Sequence, residues 1–226
     1  MRHCAVLLLG LALSAPAAVL SLALSAPAAA EGFLDLYLGG AFTEDEEVTG
    51  NGTSFDFEYE DSAVFGIRGG AWGEGRLPFL GGAIDISGFA PDGDDRANGA
   101  DLVAVPISVL LMARLPLVTS DEFPQGQLHP YVGVGPSLVI SAIDLDSSSQ
   151  AAANFATGIG GIEDIEADLG VDVRAGLDVL LTRHFGFFTE YRFTHFSPTY
   201  KDGGRRLSLD LDTHFVQGGV TFRFGG

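Results

Sequence analysis

Apolar and polar residues alternate one by one through segments of about ten residues along most of this chain. The clearest segment is Leu169–Leu181, where every second residue is apolar and Asp and Arg fall only between them. Successive side chains of a strand point to opposite faces, so this pattern predicts a β-strand with one wholly apolar face. Eight such segments are predicted: Phe33–Phe42, Ala63–Trp72, Phe79–Phe89, Leu102–Ala113, Pro130–Ile143, Leu169–Leu181, Phe185–Phe196 and Val216–Phe224.

An apolar face opposite a charged one fits a sheet that lies between lipid and an enclosed interior. In lipid every backbone polar group must be paired within the protein, so a sheet that spans the membrane has to close. Single-chain bacterial barrels contain an even number of such strands. We therefore predict an all-β fold, a closed antiparallel up-and-down transmembrane β-barrel of about eight strands. The alternative is a water-soluble sandwich or lipocalin-like binder that buries the same apolar faces.

The first 30 residues read as an export segment. Arg2 precedes the apolar run Ala5–Ala30, which ends in three alanines before Glu31. This is the pattern of a secretory signal peptide cleaved after about Ala30. A retained membrane helix is the alternative, which Pro16 and Pro27 disfavour. The predicted organisation is a signal peptide over 1–30 and a barrel domain over 31–226, placed in the bacterial outer membrane.

The charge balance excludes several classes of function. The chain has 12 Lys and Arg against 30 Asp and Glu, a net charge of −18. A nucleic-acid partner is excluded, because a phosphate backbone requires a basic surface. The single cysteine, Cys4, lies in the export segment, so no disulfide or thiol chemistry is expected in the exported chain. No phosphate-binding loop, zinc spacing or redox motif is present, so we predict no cofactor and no metal site.

Four stretches resemble the small bacterial outer-membrane β-barrel family that includes the OmpA barrel domain and OmpX. They are HPYVGVG at 129–135, RAGLDVLL at 174–181, TEYRF at 189–193 and FVQGGVTFRF at 215–224. The resemblance implies a non-enzymatic protein surrounded by outer-membrane lipid and lipopolysaccharide. It also implies that Phe222 and Phe224 form the signal that the barrel-assembly machinery reads. In this family the chain usually ends at the aromatic residue, whereas Gly225 and Gly226 follow it here.

Charged residues fall at inward positions of the predicted strands. An eight-stranded barrel is just wide enough for side chains to fill it, and buried charges must be paired. We predict a salt-bridge network that plugs the lumen, and a gated ion path through it is the alternative. The predicted network comprises Asp35, Arg68, Asp85, Asp172, Arg174, Asp178, Glu190 and Arg192.

His195 and Ser197 form a second candidate site at the outer end of the seventh predicted strand. The His-x-Ser spacing resembles the motif of outer-membrane lipid A deacylases, which implies His195 as the base and Ser197 as the nucleophile. Such a site also requires an acid that orients the histidine, for which Asp210 and Asp212 are candidates. Pro198 stands where the deacylase motif has Asn. The alternative is an interfacial histidine beside a loop.

The connectors between segments differ in length and charge. The long ones, 43–61, 90–100 and 144–168, are rich in Gly and Asp or Glu and are expected outside the cell, where an unknown extracellular ligand would bind. Asp92–Arg96 resembles a calcium loop but carries Arg96 where an oxygen ligand is needed. Asn51-Gly52-Thr53 is interpreted as a turn. The connector 116–129 is an exception, since it is long on the side where turns should be short.

Overall fold

The structure is a computed structural model that describes residues 31–44, 46–50, 53–57, 61–73, 75, 77–89, 100–145, 163–197, 199–202, 205–208 and 211–225. Twelve strands lie within these residues. They are β1 Glu31–Thr43, β2 Glu46–Gly50, β3 Thr53–Phe57, β4 Ser62–Trp72, β5 Leu80–Phe89, β6 Ala100–Arg114, β7 Leu128–Leu145, β8 Glu163–Thr182, β9 Phe185–Phe196, β10 Thr199–Asp202, β11 Arg205–Ser208 and β12 Leu211–Phe224.

Eight of the strands close into an antiparallel barrel in the order β1-β12-β9-β8-β7-β6-β5-β4. The closing pair is β1 with β12, paired from Gly32 with Phe224 to Thr43 with Thr213. Closure gives every barrel strand two neighbours, so none presents a free edge. The predicted closed eight-stranded barrel is confirmed, and no helical membrane span is found in the described part of the chain.

Short turns and long connectors lie at opposite ends of the barrel, with the exception of the connector 115–127. The turn between β8 and β9 contains only Arg183 and His184, and both ends of the barrel chain, Glu31 and Gly225, lie at this end. By the usual orientation of bacterial barrels we take it as the periplasmic end. At the other, extracellular end, β2 pairs with β3 and β10 with β11 as separate two-stranded sheets.

The outward face carries an apolar band. Alternate side chains of each barrel strand are exposed or half-exposed, and most of the exposed ones are Leu, Val or Phe. Leu169, for example, is 80% exposed and Leu38 is 73% exposed. Such side chains are stabilised by contact with hydrocarbon rather than water, which accounts for an apolar surface outside a charged interior. The predicted orientation of β8, with Leu169, Val171 and Val173 outward and Asp172 and Arg174 inward, is confirmed.

Several strands extend beyond the predicted segments. β7 has 18 residues and β8 has 20, whereas about 9–11 residues span the membrane. The two strands remain paired as far as Asp144 with Glu163 at the extracellular end. Residues 163–168 read EDIEAD, in which only Ile165 and Ala167 are apolar. This part of β8 is defined by its backbone pairing with β7.

Candidate functional site: the charged lumen and the outer rim

Three arginines at the middle of the lumen hold four carboxylates. We call this set the central cluster, and each of its seven side chains is at most 5% exposed. Its members are Arg68, Arg174, Arg192, Asp35, Asp85, Asp172 and Glu190. Every one of them was predicted from sequence as an inward charge.

Arg174 lies at the centre of the cluster. Its guanidinium nitrogens are 3.0 Å from Asp85, 2.8 Å from Asp172 and 3.3 Å from Glu190. Arg68 connects Asp35 at 2.8 Å to Glu190 at 2.5 Å. The carboxylates therefore share arginines, and the cluster is one continuous network rather than a set of separate pairs.

Neutral side chains add hydrogen bonds to three carboxylates of the central cluster. Tyr37 donates to Asp85 at 2.8 Å and Tyr131 donates to Glu190 at 2.7 Å. Gln217 donates to Glu190 at 2.6 Å, and Ser108 donates to Asp172 at 3.0 Å. Buried charges are tolerated when such partners fill their remaining bonding positions. These four side chains were missed as network members, although their inward positions follow from the same alternation.

Two glycines make room for the two tyrosines. Gly66 lies opposite Tyr37 and Gly176 lies opposite Tyr131 in neighbouring strands. A Cβ added at Gly66 would lie 2.4 Å from the Tyr37 ring, and one at Gly176 would lie 2.5 Å from the Tyr131 ring. Each ring therefore lies flat over a glycine on the lumen wall, which aims its hydroxyl at the central cluster.

A second set of charges closes the periplasmic end of the lumen. This periplasmic cluster consists of Glu31, Arg114, Asp178 and Arg223. Glu31 accepts hydrogen bonds from Arg114 at 3.0 and 2.5 Å and from Arg223 at 3.1 Å. Arg223 also bonds Asp178. Of these four residues, only Asp178 was predicted as a network member. Arg114 continues the inward alternation of Leu110 and Met112, a signal that could have identified it.

The extracellular end of the lumen is filled by apolar side chains instead. We call this set the outer seal, and all of its members are at most 3% exposed. Phe89 packs edge-on against Phe215 at a ring-centroid distance of 5.1 Å, and the Arg192 guanidinium lies 4.8 Å from the Phe215 ring centroid. The members are Ala41, Val64, Phe89, Ala104, Val139, Phe196, Leu211 and Phe215.

The unusually long connector before β7 folds back under the barrel. In this cap loop, residues 115–127, Gln127 exchanges two hydrogen bonds with the backbone of Leu180. Arg183 donates to the carbonyl oxygens of Asp121 and Glu122 at 3.0 and 2.8 Å. Phe123 is only 8% exposed. The loop is long because it covers the periplasmic mouth, where it borders a pocket of about 210 Å³.

The candidate pair His195 and Ser197 lies on the outside of the barrel, at the extracellular rim. His195 Nδ1 is 2.6 Å from Asp212 Oδ1, so Asp212 is the acid that orients this histidine. Asp210 and Pro198 lie outside the described residues. Nearby, His214 Nδ1 lies 2.5 Å from the Tyr191 hydroxyl, and His214 Nε2 donates to Glu44 Oε1 at 3.0 Å. The rim thus carries two histidines that each bond a carboxylate.

Neither a ligand nor a metal cluster can be assigned to these groups. The described residues contain no set of three or more His, Cys, Asp or Glu side chains arranged to hold a metal ion. The acidic segment Asp92–Arg96, the Asn51-Gly52 turn and the export segment lie outside the described residues. The signal peptide and its cleavage after Ala30 therefore stay predictions.

Comparison with known proteins agrees with this architecture. The outer membrane protein beta-barrel domain family matches residues 7–224, nearly the whole chain. The chain belongs to this family. A search of curated proteins finds no match. Family membership confirms the resemblance predicted from sequence and assigns the chain to the bacterial outer membrane.

Solved structures of the same architecture share little sequence with this family member. OprG from Pseudomonas aeruginosa has a TM-score of 0.60 at 14% identity, covering 88% of this chain and 97% of its own. Neisserial surface protein A has a TM-score of 0.53 at 14% identity, covering 85% and 97%. AlkL, solved in lipid bilayers, has a TM-score of 0.53 at 16% identity, covering 89% and 94%. At these identities the likeness shows the fold alone.

Proposed function

We propose that this protein is a non-enzymatic barrel that presents acidic loops at the cell surface. The observation that supports this most is the filled lumen. The central cluster, the periplasmic cluster and the outer seal occupy it from end to end within the described residues. A filled barrel offers little room for a transported solute, so specificity is expected in the connectors that it holds.

The first extracellular connector has the composition for binding cations. Residues 44–61 contain eight acidic residues and no basic residue. Lipopolysaccharide carries phosphates, and divalent cations bridge carboxylates to phosphates through oxygen ligands. We propose lipopolysaccharide, bridged by divalent cations, as the partner of this connector.

Chelation tests this partner. In vesicles that contain lipopolysaccharide, we expect EDTA to lower the thermal unfolding temperature of the protein. The variant Asp45→Asn/Glu46→Gln/Glu47→Gln should respond less, because three carboxylates are lost. The matched control Asp121→Asn/Glu122→Gln changes acidic residues at the opposite, periplasmic end and should respond like the wild type. An EDTA response that is absent, or equal in all three proteins, would remove the proposal.

Ion conduction is the alternative that the lumen itself suggests. The charged clusters could carry ions only if the apolar outer seal opened. We expect planar-bilayer recordings of the purified protein to show no reproducible current steps. Steps of constant amplitude that change with the substitution Phe215→Ala would assign a channel function instead.

A lipid A deacylase is the second candidate, and one specific contact favours it. The 2.6 Å contact between His195 and Asp212 supplies the oriented base that such an enzyme needs, on the lipid-facing side of the rim. Mass spectrometry of lipid A from cells that express the wild type or Ser197→Ala separates the candidates. Identical acyl chains, also in cells without the protein, would exclude the enzyme.

The assembly role of the C-terminal aromatics is a further part of the proposal. Phe222 is 40% exposed on the outward face of β12, whereas the Phe224 ring covers Gly32 on β1. We propose that both form the signal for the barrel-assembly machinery. The variant Phe222→Ala should accumulate in the periplasm although it leaves the β1–β12 contact intact. Normal outer-membrane levels of this variant would contradict the role of Phe222.

A further inference from the structure

A small cavity separates the central cluster from the periplasmic cluster. Its volume is about 10 Å³, measured as the space open to the centre of a water molecule. This is about the minimum that holds one water. Aromatic side chains supply most of its apolar walls, and its polar walls are Asp35, Arg68, Asp178, Thr221 and Arg223.

Four residues that line this cavity each have a buried polar atom without a hydrogen-bond partner in the protein. The atoms are Asp35 Oδ1, Asp178 Oδ1, Thr221 Oγ1 and Arg223 Nε. The other oxygen of each carboxylate accepts from an arginine, Arg68 in one case and Arg223 in the other. The four residues are at most 7% exposed. Unsatisfied buried polar atoms are costly, so four at one cavity point to a bound molecule that satisfies them together.

The hydrogen-bonding groups and charges of the cavity walls indicate which kind of molecule can bind there. Two carboxylate oxygens accept hydrogen bonds, one guanidinium nitrogen donates, and the Thr221 hydroxyl can do either. Arg68 and Arg223 would repel a small cation, and the two carboxylates would repel an anion. Water donates two hydrogen bonds and accepts two, which matches the set. We propose that the cavity is a binding site for one structural water molecule, which donates to Asp35 and Asp178 and accepts from Arg223.

This water joins the two charged clusters into one network. Asp35 belongs to β1 and Asp178 to β8, strands separated by β12 and β9 in the barrel. Without a bridge, the direct interaction between the two carboxylates is repulsion between like charges. With the water between them, both carboxylates accept hydrogen bonds from the same molecule, so the interaction free energy between Asp35 and Asp178 becomes favourable. The sign of this interaction free energy therefore distinguishes a cavity with a bridging water from one without.

A double-mutant cycle measures this sign. The variants are Asp35→Asn, Asp178→Asn and the double variant, each purified from outer membranes and unfolded by urea in lipid vesicles. With a bridging water, the double variant should lose less stability than the sum of the single variants. We expect a coupling of about tenfold in the unfolding equilibrium constant. Additive losses, or a double variant that loses more than the sum, would overturn the proposal.

A second measurement covers the case in which these variants do not fold. A high-resolution crystal structure of the wild-type protein should show one density peak about 2.7–3.2 Å from Asp35 Oδ1, Asp178 Oδ1 and Arg223 Nε. The variant Thr221→Val should weaken this peak, whereas Thr213→Val, a buried threonine nearer the extracellular end of β12, should leave it unchanged. An empty cavity would refute the site. A peak with contacts of about 2.4 Å that disappears when sodium is replaced by choline would assign a cation instead.

Discussion

At the scale of single residues, the burial of complete ion pairs decides which substitutions destabilise the folded protein. Arg174 is 1% exposed and contacts three carboxylates. Removing one partner of a buried pair leaves uncompensated charge and costs about 3–5 kcal/mol. We therefore expect Arg174→Met to lower the free energy of unfolding by about this amount. Urea titration in lipid vesicles, followed by the fluorescence of Trp72, the only tryptophan, measures it.

The matched control for Arg174 is Arg183, which is exposed in the β8–β9 turn and bonds two backbone carbonyls. Arg183→Met should cost less than about 1 kcal/mol, because water replaces those bonds. Adding Glu190→Gln to Arg174→Met should recover part of the loss, since it neutralises one of the four carboxylates that then share only two arginines. Equal losses for Arg174→Met and Arg183→Met would show that the central cluster contributes no more than a surface contact.

At the scale of elements, glycines on the strands determine where the tyrosines of the lumen lie. The variant Gly176→Ala would bring a Cβ to 2.5 Å from the Tyr131 ring and 2.7 Å from a backbone oxygen of Thr189. The ring must move, and its hydrogen bond to Glu190 is lost. We expect a loss of about 1–3 kcal/mol in unfolding free energy, measured by urea titration.

The matched control for Gly176 is Gly88→Ala on β5, where the nearest atom to an added Cβ lies 3.5 Å away, an ordinary contact. This variant should be close to neutral. A second change tests the cause, because Tyr131→Phe removes only the hydroxyl. In that background, Gly176→Ala should cost less than in the wild type. A cost independent of the Tyr131 hydroxyl would mean that the glycine serves the backbone alone.

At the scale of the whole molecule, the sequence pattern predicts the barrel strands but not which charged side chains pair inside the lumen. Alternation predicts the strands within the lipid because solvent differs on their two faces. It does not predict strand structure at 163–168, where only Ile165 and Ala167 are apolar. It places Arg68 and Glu190 inward, yet their 2.5 Å contact depends on how β4 and β9 meet across the lumen. By contrast, Asp212 lies directly opposite His195 on a neighbouring strand, so the register of that strand pair would have identified it.

The closure of the barrel predicts how the whole protein resists denaturation. With β1 paired to β12, none of the eight barrel strands has a free edge, so SDS should unfold the protein only on heating. We expect unheated and boiled samples to run at different apparent masses on a gel. Gly219→Val should abolish the unheated species, because a Cβ there would lie 2.0 Å from the Leu36 carbonyl oxygen across the closing pair. Gly82→Ala, whose Cβ would lie 3.7 Å from its nearest atom, should retain it.

If the wild type ran identically with and without boiling and folded without detergent, its apolar outer band would have to form a soluble core. Because the lumen is already filled by charged clusters and the outer seal, that outcome would require a second layer of protein around the barrel.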